Sequence, residues 1–120
     1  MEVAKLPVYN KTRLLFIQFE RSTQKVPINM KRGAIAEVEH WLIEIMDTIA
    51  FANLSERDRQ ARLLYITEAA RTLQKVKVRI RTLYDLNIIT KKGFDALILL
   101  EGNVDKQLTG WERSIINNNA

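Results

Sequence analysis

From Pro27 to its last residue, Ala120, the chain carries no further proline, and its four glycines, Gly33, Gly93, Gly102 and Gly110, stand isolated. A β-sandwich or barrel needs turn signals every ~8–12 residues. An all-β fold is therefore excluded. Between the few breakers, apolar residues recur with the period of a helix. In the first stretch, roughly Pro7 to Lys25, the residues Val8, Thr12, Leu15, Phe16 and Phe19, with Val26 just beyond, share one side. Pro7 suits a first helical turn, where its missing N–H has no partner to lose, and Pro27 ends the run.

A second helix is expected from Met30 to Ala52, with Asn29 as N-cap and Ile35, Val38, Trp41, Leu42, Ile45, Met46 and Ile49 as its core face. The third and longest follows a cap at Ser55, with Asp58 completing a weak capping box. Two heptad rows run through it, Ile66-Leu73-Ile80 and Ala69-Val76-Leu83, a sustained a/d seam. From Glu56 to Leu86 this helix spans ~46 Å at 1.5 Å per residue. Asn87 is a left-handed terminator and Thr90 a cap for the fourth helix, whose face is Phe94, Leu97, Val104, Leu108, Trp111 and Ile115.

Short connections between four amphipathic helices predict an all-α, antiparallel up-down-up-down four-helix bundle. The chain length of 120 residues supports one domain; the bundle is expected over 1–116, with a disordered tail at 117–120. No window approaches the ~20 apolar residues of a membrane span. Lys11 and Arg13 interrupt the early apolar residues where a signal peptide would need a continuous run, so a cytoplasmic location and no membrane partner are expected.

Catalytic chemistry finds little material. Zero cysteine excludes a disulfide framework, a thiolate metal site and a cysteine nucleophile. Glu37 and His40 form a Glu-x-x-His unit of the di-iron bundle type, but such a site needs two units and His40 is the single histidine. His40 reads as a solvated side chain beside Glu37 and Glu44. Ser22, Ser55 and Ser114 lack a nucleophile-elbow pattern, and isolated glycines make no phosphate loop. The expectation is no enzyme, no cofactor and no metal.

The formal charge of +5 is unevenly spread. Residues 1–27 hold 5 basic and 2 acidic groups, 28–54 hold 2 and 4, 55–88 hold 8 and 4, and 89–120 hold 4 and 4. Within helix three Arg71, Lys75, Lys77, Arg79 and Arg81 follow one another with no acid between them. Arg71, Lys75 and Arg79 stack at i, i+4 and i+8, away from the seam, and Lys77 and Arg81 flank it on the other side. A cationic row ~12 Å long suits the phosphates of RNA or DNA, an acidic protein surface, or plain solvent. Apart from Tyr84, expected at the edge of the core, no aromatic is interleaved with the row, so sequence-specific base readout is not expected.

Apolar residues also exceed what one bundle needs. Leu14 and Ile17 lie opposite the core face of helix one, and Ala36, Ile43 and Ala50 repeat at heptad spacing off the core stripe of helix two. Leu64, Val78 and Leu99 add to the surplus. Self-association through Leu14, Ile17, Ala36, Ile43 and Ala50 follows.

Several stretches together, in this order, resemble one family. They are the opening Leu6-Pro7-Val8-Tyr9-Asn10-Lys11-Thr12, the helix-two end Ala52-Asn53, the run Leu73-Gln74-Lys75-Val76-Lys77-Val78-Arg79-Ile80-Arg81 with Tyr84-Asp85-Leu86, and the close Lys106-Gln107-Leu108-Thr109-Gly110-Trp111. The chain resembles the four-helix-bundle family of 23S rRNA intervening-sequence proteins, and within it the accessory variability determinant proteins of diversity-generating retroelements. It departs from the family's usual leucine-glycine-acid step, reading Met30-Lys31-Arg32-Gly33-Ala34. The resemblance implies a bacterial protein forming a homopentameric ring of bundles without enzymatic activity. It further implies binding to a partner reverse transcriptase and to nucleic acid through Lys75, Lys77, Arg79 and Arg81, to which the spacing adds Arg71. The intervening-sequence branch implies instead an oligomeric scaffold with no direct nucleic-acid binding.

Overall fold

The structure, a computed structural model, describes residues 2–118, and at residues 30–32 the backbone alone. Four long helices form it: α1 (Pro7–Ser22), α2 (Ala36–Leu54), α3 (Arg59–Asp85) and α4 (Lys91–Asn117). Among the described residues there is no strand, and no helix is long and apolar enough to cross a membrane.

Local chemistry sets each boundary. Pro7 opens α1 behind a 3-10 turn at Val3–Lys5. The helix stops at Ser22, short of the expected Lys25. Buried Thr23 ends it: its backbone N–H and its hydroxyl both donate to the Phe19 carbonyl, the hydroxyl at 2.9 Å. The approach to α2 also differs from expectation. Asn29 lies inside a single turn, Ile28–Met30, rather than capping a helix from Met30. A π-type turn follows at Lys31–Ile35, broken at Gly33 (φ −102°, ψ −113°), and regular helix begins at Ala36.

At the next junction Asp58 takes the N-cap role expected of Ser55. Ser55 closes α2, which runs past Ala52 to Leu54; its N–H and its hydroxyl both donate to the Phe51 carbonyl. Asp58 caps α3, accepting from the Ala61 N–H at 3.0 Å. A carboxylate there also meets the positive end of the helix dipole. At 27 residues, α3 is about 40 Å long rather than ~46 Å. Asn87 takes the left-handed conformation (φ 61°), and Thr90 caps α4 by accepting from the Gly93 N–H. Asn117, expected in the tail, is the last residue of α4; residues 119 and 120 lie outside the described residues.

Each helix packs on its chain neighbours, and α1 closes the square on α4. Antiparallel order shows where the ends meet: the Arg62 side chain reaches the end of α2, the Arg59 side chain reaches the end of α4, and Gly93 lies against Ser22. A Cβ on Gly93 would sit 2.9 Å from the Ser22 hydroxyl, so a larger residue there would have to turn that side chain aside. The molecule is a rod of 50 × 22 × 22 Å. Both heptad rows of α3 are buried in full, against Leu15 and Phe19, Leu42 and Ile45, and Leu97 and Val104 from the other helices. Truncating one such side chain, Leu73→Ala for instance, costs roughly 2–5 kcal/mol by forfeited transfer energy and the cavity left behind. Phe16, Val26, Trp41, Met46 and Trp111 are only half-buried at the margin.

Candidate nucleic-acid interface

The basic residues of α3 divide by what their side chains touch. Arg59 and Arg62, in the first turns of α3, donate to carbonyls at the ends of the two flanking helices. Arg59 reaches the Ile115 carbonyl at 3.0 Å, and Arg62 reaches the Ala52 and Asn53 carbonyls at 2.9 and 3.1 Å. Helix ends leave such carbonyls without partners and slightly negative. These two guanidiniums are therefore part of the scaffold, and Arg62 also lies over the Trp111 ring at 5.6 Å.

The acid-free run splits as well. Lys77 turns to α4 and pairs with Asp105 at 2.6 Å. Arg81 pairs with Asp85 one turn on, at 3.2 Å, and lies over the stacked rings of Tyr84 and Phe94. Arg79 turns to α2 and pairs with Glu37 at 3.1 Å. Among the described residues, Arg71 and Lys75 have no ion-pair partner, and both are exposed. The five cations thus form no single row. Arg71, Lys75 and Arg79 edge the α2–α3 groove, Lys77 and Arg81 face α4, and exposed Val78 stands between the two sets. Exposed ion pairs are worth only ~0–1 kcal/mol, but each carboxylate cancels most of its partner's field at a distance.

An aromatic ring absent from the sequence expectation enters from the neighbouring helix. Trp41 of α2 lies half-buried beneath Arg79, whose guanidinium carbon is 5.2 Å from the ring centroid, and Lys75, whose Nζ is 6.0 Å away. Trp41, Arg71, Gln74, Lys75, Val78 and Arg79 line one shallow groove of about 410 Å³. The expectation of no aromatic among the cations is thereby corrected. Trp41 is distant along the chain and becomes a neighbour only where α2 packs on α3. Tyr84 does pack at the margin, half-buried and stacked on Phe94 at 4.2 Å. A cleft of about 500 Å³ at one end of the bundle also carries Arg21 and Lys25, but no aromatic ring lines it.

Between α3 and α4 the structure holds a carboxyl that the sequence pattern left outside the expected core. Glu101 is 2% exposed, its Oε1 has no hydrogen-bond partner among the described residues, and burial raises its pKa to about 7 despite the nearby Lys77 ammonium. Its spacing from Leu97 and Val104 is the signal that places it on the buried stripe.

On α1 and α2, Leu14 and Ile43 are exposed, at 40% and 44%, while Ile17, Ala36 and Ala50 are half-buried. Exposed Leu54 and Phe51 on α2 extend the apolar surplus beyond the sequence expectation, and Leu64, Val78 and Leu99 are exposed as well. His40 is exposed on α2, and Glu37 is engaged by Arg79. Among the described residues no three metal-ligating side chains converge. No protein-family model matches the chain, and no curated protein matches it either.

Proposed function

We propose that this chain is a non-catalytic, self-assembling accessory protein that binds the backbone of RNA or DNA through the basic surface of α3. In the retroelement setting implied by the resemblance, a reverse transcriptase is its protein partner and a homopentamer its assembly. One observation carries the reading: Arg71 and Lys75 stand exposed on adjacent turns of one helix, with no ion-pair partner among the described residues, beside a tryptophan. Lys77, Arg79 and Arg81 contribute less, since each is held by a carboxylate.

Those same three ion pairs favour the second reading, an oligomeric scaffold that binds protein alone, because they lower the attraction for a polyanion. Retention of labelled RNA and DNA at two salt concentrations separates the two. Phosphate contacts release counterions, so binding should fall steeply with salt. The double variant R71E/K75E should lose retention with its helical content unchanged. No retention of wild-type protein at low salt would overturn the nucleic-acid reading in favour of the scaffold.

A further inference from the structure

We infer that the groove at Trp41 takes one unpaired base of a nucleic-acid strand, so that this surface prefers single-stranded to duplex nucleic acid. The inference rests on the nucleic-acid reading above and adds to it what kind of strand is bound.

The groove joins the two components of single-strand recognition, an aromatic face for a base and mobile cations for the backbone. Of the two cations at Trp41, one is braced. Glu37 holds the Arg79 guanidinium at 3.1 Å, and Arg79 holds the ring at 5.2 Å. Lys75 is not braced. Its ammonium lies 6.0 Å from the ring, at the outer limit of a cation–π contact, and has no carboxylate partner among the described residues. A base can displace Lys75 from the ring at small cost, and the released ammonium, with Arg71 one turn away, then meets the phosphates flanking that base. Gln74 and exposed Val78 border the same groove. At about 410 Å³ the groove is within the usual range of small-ligand sites, roughly 300–1,000 Å³. Stacking on an indole tolerates any base. A duplex keeps its bases stacked inside, so it meets only the charge of Arg71 and Lys75.

The test uses full-length protein, a fluorescein-labelled oligothymidine twelve-mer, and a blunt duplex of the same length, titrated by anisotropy at one salt concentration. Stacking of one base corresponds to roughly 5- to 150-fold in affinity. Wild type should bind the single strand at least about fivefold tighter than the duplex. Trp41→Leu should weaken single-strand binding far more than duplex binding and so remove most of the preference. Trp41→Phe, which keeps a ring, should retain most of the preference and guards against a merely misfolded leucine variant. Trp41 fluorescence, read in a Trp111→Phe background, should be quenched by oligothymidine. Equal binding of both probes by wild type, or a Trp41→Leu variant that weakens both alike or neither, overturns the stacking inference while the backbone reading stands. Binding of neither probe at low salt overturns both, and points to a protein-only partner.

Discussion

Glu101 bears most heavily on how stability responds to pH. It lies in the buried stripe of α4 between Leu97 and Val104, with no hydrogen bond to its Oε1 among the described residues. Desolvation disfavours its charged form, and the nearby Lys77, itself paired with Asp105, only partly offsets this. Its pKa rises from 4.5 to about 7. Between those values the folded chain keeps a proton that the unfolded chain has released. Stability must therefore fall as pH rises through that window and level off above it. At 1.36 kcal/mol per unit, the loss is about 3 kcal/mol at most. Urea midpoints at pH 5 and pH 8 should show the drop in wild type and nearly equal values in Glu101→Gln. A wild-type midpoint that does not fall over that range would refute the assignment. The helical period already contained this position, at i+4 from Leu97; residue chemistry, which treats glutamate as a surface group, concealed it.

At the scale of the helix, the junction between α2 and α3 shows which caps can be read locally. Asn87 and Thr90 act as their residue types suggest, because a left-handed terminator and an N-cap each depend on a few adjacent residues. Ser55 and Asp58 are both good caps, and the choice between them depends on the intervening turn, closed by the Asp58 N–H donating to the Ser55 carbonyl at 3.1 Å. Composition alone does not fix that turn. Asp58→Ala should accordingly cost about 1 kcal/mol of stability, measured by denaturant midpoint, and more than Ser55→Ala. The same start of α3 carries a longer-range effect. Through Arg59 and Arg62, the N-terminal turns of one helix satisfy the C-terminal carbonyls of both its neighbours. Hydrogen bonds to a charged donor contribute about 1.5–3 kcal/mol. Arg62→Ala, which also exposes Trp111, should destabilise by that order, whereas Arg71→Ala should leave the midpoint within about 0.5 kcal/mol. Equal effects of the two substitutions would contradict the division of basic residues into scaffold and surface.

For the whole molecule, the weight of the +5 charge depends on how many copies assemble. The buried seams were legible because the helical period is local, whereas the Trp41 groove was not, because its walls come from α2 and α3. The apolar surplus of α1 and α2 stands between these cases: Ala36, Ile43 and Ala50 show a heptad spacing in the sequence, but only packing reveals that Leu14 and Ile43 stay exposed while Ile17, Ala36 and Ala50 are half-covered. A stable interface removes roughly 800 Å² from each partner, about a tenth of the 7608 Å² that one chain exposes. If the assembly is pentameric, five copies carry +25. Light scattering at micromolar concentration should give a native mass well above 14.0 kDa. Ile43→Asp or Leu14→Asp, each placing a charge at an exposed apolar position, should lower it towards that of one chain. Because each assembly then touches fewer phosphates, the same substitutions should flatten the salt dependence of nucleic-acid binding, by about 0.7 in the log–log slope for each single-strand phosphate that is no longer neutralised. A wild-type mass of one chain would remove the interface, and an Ile43→Asp protein with reduced mass but an undiminished salt slope would show that each copy binds nucleic acid alone.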